Sequence, residues 1–76
     1  MNTPTTAVLA GEVRAEMARQ GVTAAKVSQA TDISRASLSR KLNGRNEFTV
    51  AEMLRVTKFL GLTLSDLLQR AESVAA

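Results

Sequence analysis

Hydroxyl residues and single glycines punctuate this chain at short intervals, and that punctuation leaves room for little besides helices. Gly21 is followed by Thr23, Ser34 precedes Gly44, Thr49-Val-Ala-Glu52 precedes Gly61, and Thr63-Leu-Ser-Asp66 follows it. A Ser or Thr before a helix accepts a hydrogen bond from one of its free N–H groups, and a glycine after it takes the left-handed conformation that ends it. Thr49 and Glu52 have the spacing of a capping box, in which hydroxyl and carboxylate each bond the other residue's backbone. Asp66 stands in for Glu in a second one. The glycines are read as sitting singly at helix ends. No segment alternates apolar and polar residues over the length of a strand.

Periodicity fills the intervals with five helices. The first runs from Thr5 or Thr6 to Gln20, and Thr3-Pro4 is able to start it slightly earlier. Leu9, Val13 and Met17 form its buried stripe, widened by Ala10 and Ala18, while Glu12, Arg14, Glu16 and Arg19 lie mostly outside it. The second runs from about Ala24 to Thr31, turning Val27 and Ala30 inward. Asp32-Ile33 makes a tight turn, with Ile33 as a core plug. The third is capped by Ser34, reaches about Asn43 and is anchored by Leu38 and Leu42. A polar loop pinned by Phe48 leads to the fourth, which ends at Leu60 and buries Val50, Met53, Leu54, Thr57 and Leu60. The fifth carries Leu64, Leu67, Leu68, Ala71 and Ala75. With 45% apolar but only 3% aromatic residues, the composition suits packed helices better than a sheet. The fold class is all-α: one compact five-helix domain over residues 1–76.

Charge singles out one part of the chain. Lys26, Arg35, Arg40, Lys41 and Arg45 face a single acid, Asp32, so that this stretch is strongly positive within a chain of net +3. A polyanionic partner accounts for such clustering, since Lys and Arg on phosphates release counterions. A solvated basic face accounts for it equally well by charge alone. The form of the segment adds to the argument. Residues 23–44 read as two short helices joined by a tight turn, with Ser34, Arg35, Ser39 and Arg40 on the polar face of the second. That is the form of a helix-turn-helix, whose second helix enters the major groove of DNA.

The residues also resemble a known family. Val27-Ser-Gln-Ala-Thr-Asp-Ile-Ser34, Ser39-Arg-Lys-Leu-Asn-Gly44 and Val56-Thr-Lys-Phe-Leu-Gly-Leu-Thr-Leu-Ser-Asp-Leu-Leu68 occur in the order and spacing of lambda-repressor-like, Cro/C1-type helix-turn-helix domains of phage and bacterial regulators. The resemblance covers Val22 to Leu68, with the first helix as the variable one. Two positions depart from it. Ser28 stands where the family usually has Ala, and Asp32 stands where it usually has Gly. Ser keeps the volume small and is able to bond a carbonyl of the preceding turn. Asp reaches positive φ at modest cost.

The resemblance implies a function and a set of contacts. It implies a sequence-specific transcriptional regulator, foremost a repressor, that reads double-stranded DNA with its third helix. The base-reading positions carried over are Ser34, Arg35, Ala36, Ser39 and Arg40. Arg35 leads them, because a guanidinium can bond guanine O6 and N7 together. Ala36 suits a thymine methyl. Phosphate contacts fall to Thr23 and Ala24 at a helix N-terminus, and to Lys26, Lys41, Asn43, Arg45 and Asn46. Asn43 has a helix-ending role as its rival. The first five residues hold no Lys or Arg, which argues against a basic minor-groove arm. Such domains typically bind as dimers on palindromic half-sites. Leu64, Leu68, Ala71 and Val74 or Ala75 are the candidates for a homodimer contact, unless the leucines simply complete the core.

Other classes fare worse. With no His, Cys or Tyr, most general bases, nucleophiles and metal ligands are missing, and the carboxylates are scattered; no enzyme, cofactor, metal site or small-molecule ligand is expected. Glu12 and Glu16, one turn apart beside arginines, read as a solvated face. No apolar run approaches the roughly 20 residues of a membrane span, and the N-terminus lacks the features of a secretory signal. The expected location is the cytoplasm, at the nucleoid, or the host cytoplasm for a phage protein. The remaining alternative is an interaction module with the same fold, such as an antitoxin or co-regulator domain. The chain is read either as complete or as the N-terminal part of a longer repressor.

Overall fold

The computed structural model describes residues 6–75. Five helices follow one another: α1 (Thr6–Gln20), α2 (Ala24–Thr31), α3 (Arg35–Leu42), α4 (Val50–Leu60) and α5 (Leu64–Ala75). Their boundaries are set by the local chemistry. Thr23, Ser34 and Thr49 are extended N-caps whose hydroxyls accept from the backbone N–H of Lys26, Ser37 and Glu52. Thr49 and Glu52 form the complete capping box. Thr63 and Asp66 form the same reciprocal pair at the start of α5, at 3.1 and 3.0 Å. Gly21, Gly44 and Gly61 all have positive φ. Gly11 departs from the expectation for glycines, since it lies inside α1.

α1 packs most extensively on α5 and α2 on α4, while α3 rests against both α1 and α2. The core is aliphatic: Val13, Val27, Leu38, Val56 and Leu67 are completely buried, with Met17, Ile33, Leu42, Met53 and Leu60 around them. Leu9, Val22, Ala24, Phe48, Leu62 and Leu64 close it from the sides. Thus Ile33 is the plug and Phe48 the pin that their positions suggest.

Several faces differ from the expectations. Ala18 and Ala30 are exposed, whereas Glu16 and Thr31 are buried. In α2 the buried stripe is Val27 and Thr31, four apart, and the Thr31 hydroxyl donates to the Val27 carbonyl at 2.6 Å, which lets a polar residue occupy a core position. In α4 the inward residues are Met53, Val56, Thr57 and Leu60. Val50 and Leu54 point outward at 70% and 50% exposure, because no other element covers that side. Ala71 is completely buried.

Glu16 is the largest departure. Its Oε1 accepts from Arg19 Nε and Nη2 and from Arg70 Nη1, and its Oε2 accepts from Gln20 Nε2. Gln20 Nε2 also donates to the Leu60 carbonyl at 2.6 Å. The carboxylate thereby ties α1 to α5, and Gln20 ties the same site to the end of α4. The hydrogen bonds from Gln20, Arg70 and Arg19 lower its pKa from the ordinary 4.5 to about 2.

Candidate nucleic-acid interface

The turn between α2 and α3 is built from three backbone-directed bonds. Asp32 lies in the left-handed region at φ 59° and ψ 30°, and its N–H donates to the Ser28 carbonyl at 3.0 Å. The Ser28 hydroxyl donates across the turn to the Ile33 carbonyl at 2.5 Å. This is forward in the chain, rather than back to the preceding turn. Arg55 of α4 donates through Nε to the Thr31 carbonyl at 2.9 Å, satisfying a carbonyl at the end of α2. Sequence reasoning missed Arg55 because its partner is 24 residues away.

α3 is one buried edge and one open arc. Leu38 and Leu42 hold the buried edge. At about 100° per residue, Arg35, Ser39, Asn43, Ala36 and Arg40 fall in succession around the exposed side, Arg35 next to Leu42 and Arg40 opposite the buried edge, and all five are exposed. Neither guanidinium makes a hydrogen bond or ion pair among the described residues. Ser34, also exposed, spends an acceptor lone pair on its cap to Ser37 N–H at 3.2 Å and keeps its O–H free to donate.

Lys41 lies apart from this arc. It turns toward α4, where its Nζ sits 2.6 Å from both carboxylate oxygens of Glu52, and only 12% of its side chain is exposed. The same Glu52 accepts from Thr49 N–H at 2.9 Å. The hydrogen bond from Lys41, followed by that from Thr49, lowers the Glu52 pKa. Lys41 is therefore placed as a brace between α3 and α4, away from the other candidate phosphate ligands. Helical phase rotates position 41 about 100° beyond Arg40, and the partner that holds its side chain there, Glu52, lies 11 residues on.

The remaining phosphate candidates occupy the two ends of the unit. At the start of α2, the first rung of the ladder is Val27 N–H to Thr23 carbonyl at 3.1 Å. The N–H groups of Ala24 and Ala25 come before it, as at any helix start. Thr23 and Lys26 are exposed beside them, and Ala24 is half-buried. At the end of α3, Asn43 is the C-cap residue, its N–H donating to Ser39 and Lys41 carbonyls. Arg45 and Asn46 are exposed in the loop beyond it. Gly44 makes the reversal at φ 76°, where a Cβ would come within 3.2 Å of Ala7 at the start of α1.

The proposed dimer residues are not equivalent. Ala71 has no surface to offer, Leu64 is half-buried against the core, and Leu68 is 36% exposed. The side chain of Val74 lies outside the described residues. Among the described residues no helix is long and apolar enough to cross a membrane.

Residues 12–72 match the family model described as the Cro/C1-type HTH DNA-binding domain. Two solved structures of the clp gene regulator ClgR from Corynebacterium glutamicum are similar. One has a TM-score of 0.88 at 27% identity, covering 92% of this chain and 74% of that one. The other has a TM-score of 0.87 at 26% identity, covering 100% and 97%. No curated protein matches. The five-helix arrangement, the turn held at Asp32 and the family match together place this chain among the Cro/C1-type helix-turn-helix DNA-binding domains.

Proposed function

We propose that the protein is a sequence-specific transcriptional repressor in which α3 lies in the major groove and Arg35 reads a guanine. The protein is a DNA-binding transcriptional regulator, and it acts at the nucleoid, where its duplex is. The single observation that carries the base-reading role is the open arc of α3: two uncommitted guanidiniums, Arg35 and Arg40, flank Ser39 and Ala36 on a helix whose other side is locked into the core. Ser34 adds a hydroxyl donor at the tip. Backbone phosphates are held at the α2 N-terminus by Ala24 and Thr23 with Lys26, and beyond α3 by Asn43, Arg45 and Asn46. Occupancy of a site by such a domain blocks competing proteins without further machinery. Two copies pair through the exposed side of α5 around Leu68 and bind palindromic half-sites about one helical turn apart.

Selection of bound duplexes from a random pool gives the site, its symmetry and its spacing together. On the selected site, Arg35→Ala should weaken binding by about 1–3 kcal/mol and relax preference at one base pair. Wild-type affinity and unchanged preference in that variant would refute the reading role of Arg35. Sedimentation with and without the selected duplex tests the pairing.

A further inference from the structure

The structure also offers a second surface, on the side of α4 turned away from the core. The outward residues of this helix are Val50, Ala51, Leu54, Arg55, Lys58 and Phe59. Val50, Leu54 and Phe59 account for three of the four large hydrophobic residues exposed among those described, at 70%, 50% and 41%. Ala30 of α2, Arg55, Lys58 and Phe59 line an open groove of about 520 Å³ where α2 meets α4. On the helical repeat Val50 and Leu54 line one flank of this outward half and Phe59 the other, about 140–180° around, with Lys58, Ala51 and Arg55 between them.

The charge of the face says what fits it. Both of its ionic residues are cations, and the acid on the same helix, Glu52, is turned to Lys41. Lys58 makes no hydrogen bond or ion pair among the described residues. Arg55 spends Nε on Thr31 and keeps the rest of its guanidinium available. A second copy seated face to face would bring like charges together. Phosphates alone would leave Phe59, 41% exposed in the wall of the groove, uncovered.

We propose that the outer face of α4 docks an acidic segment of another protein, an amphipathic helix or peptide whose aromatic or leucine anchor enters the groove beside Phe59 while its carboxylates meet Lys58 and Arg55. Such anchors spaced along one helix face are a common mode of groove recognition. Docking on this face is separate from the open arc of α3.

The test uses a labelled synthetic peptide of Glu and Asp with Leu and Phe at helical i, i+4 spacing. Its controls are the same peptide with Lys for every acid, and an all-Glu peptide without anchors. Titration into the isotopically labelled protein should shift the amide signals of Ala30, Lys58 and Phe59 in a saturable way, and neither control should do so. Lys58→Glu and Phe59→Asn should each weaken binding at least about tenfold, a change of 1.4 kcal/mol. Arg35→Ala should leave peptide binding unchanged, which separates this proposal from the DNA-reading one. Arg55 is left intact in these variants because it also holds the end of α2. The proposal is overturned if the acidic peptide fails to saturate, if its shifts map elsewhere, or if the basic peptide binds as well. It is equally overturned if Lys58→Glu abolishes duplex binding while leaving the peptide untouched, making the face a phosphate contact. Self-association that Phe59→Asn removes would assign the face to a second copy instead.

Discussion

Asp32 joins α2 to α3 at φ 59° and ψ 30°, the one residue other than glycine with positive φ among those described. Left-handed backbone costs an ordinary L-residue about 1–2 kcal/mol, through the approach of Cβ to the following carbonyl. Asp recovers some of this when its carboxylate bonds nearby backbone. Here the side chain is exposed and makes no hydrogen bond among the described residues, leaving a net cost near 1 kcal/mol. Glycine removes that cost but adds about 0.4–1 kcal/mol through the greater freedom of the unfolded chain. Asp32→Gly should therefore stabilise the fold by about 0–0.6 kcal/mol, raising Tm by at most roughly 2–5 °C for a domain of this size. Asp32→Ala should lose a few tenths of a kcal/mol, and Asp32→Val more, because a β-branched residue is a true outlier at this φ. Urea and thermal unfolding followed by circular dichroism should rank the variants Gly, Asp, Ala, Val in falling stability. Asp32→Asn removes the same charge and tolerates the same φ, so it is the reference for function. Duplex affinity of the Gly variant should equal that of the Asn variant, since the turn already has the geometry glycine prefers. A Gly variant less stable than wild type, or a Val variant equal to it, would refute the reasoning.

Acid should destabilise the protein in a defined window. The folded Glu16 titrates at about 2 against an ordinary 4.5, so the unfolded chain takes up protons first, and stability falls as pH drops from 4.5 toward 2. Glu52 and Asp66, also lowered, act in the same direction. Tm measured across that range should decline, and Glu16→Gln should flatten part of the decline while lowering Tm at neutral pH. Leu67→Ala should cost about 2–5 kcal/mol in urea unfolding, whereas Leu68→Ala, at the surface, should cost under about 1 kcal/mol. Lys41→Ala should lower Tm and leave the salt dependence of duplex binding unaltered. Arg45→Ala should leave Tm unaltered and reduce the salt slope by about one. Gly44→Ala should destabilise more than Gly61→Ala, because only the former meets Ala7 as well as a strained φ.

Much of the fold was legible along the chain because its signals are local. A hydroxyl at 23, 34, 49 or 63 meets the N–H three residues on, and a glycine at 21, 44 or 61 reverses the chain without help from elsewhere. The open arc of α3 was legible for the same reason: Leu38 and Leu42 set its buried edge, and the rest follows from the helical repeat. Which polar residues would be buried was another matter. Glu16 lies inside because Arg70, 54 residues on, comes within 2.6 Å of it, and Thr31 and Arg55 meet across 24 residues. Lys41 is turned from the open arc of α3 toward α4 because Glu52 was brought beside it. Conversely, Val50 and Leu54 match an inward pattern and yet face water, because apolar periodicity marks a stripe without saying whether anything packs upon it. Caps, turns and helix phase are properties of neighbouring residues, so the linear order of this protein determined them. Burial and ion pairing depend on what arrives from distant parts of the chain, and those were decided only when the five helices closed around one core.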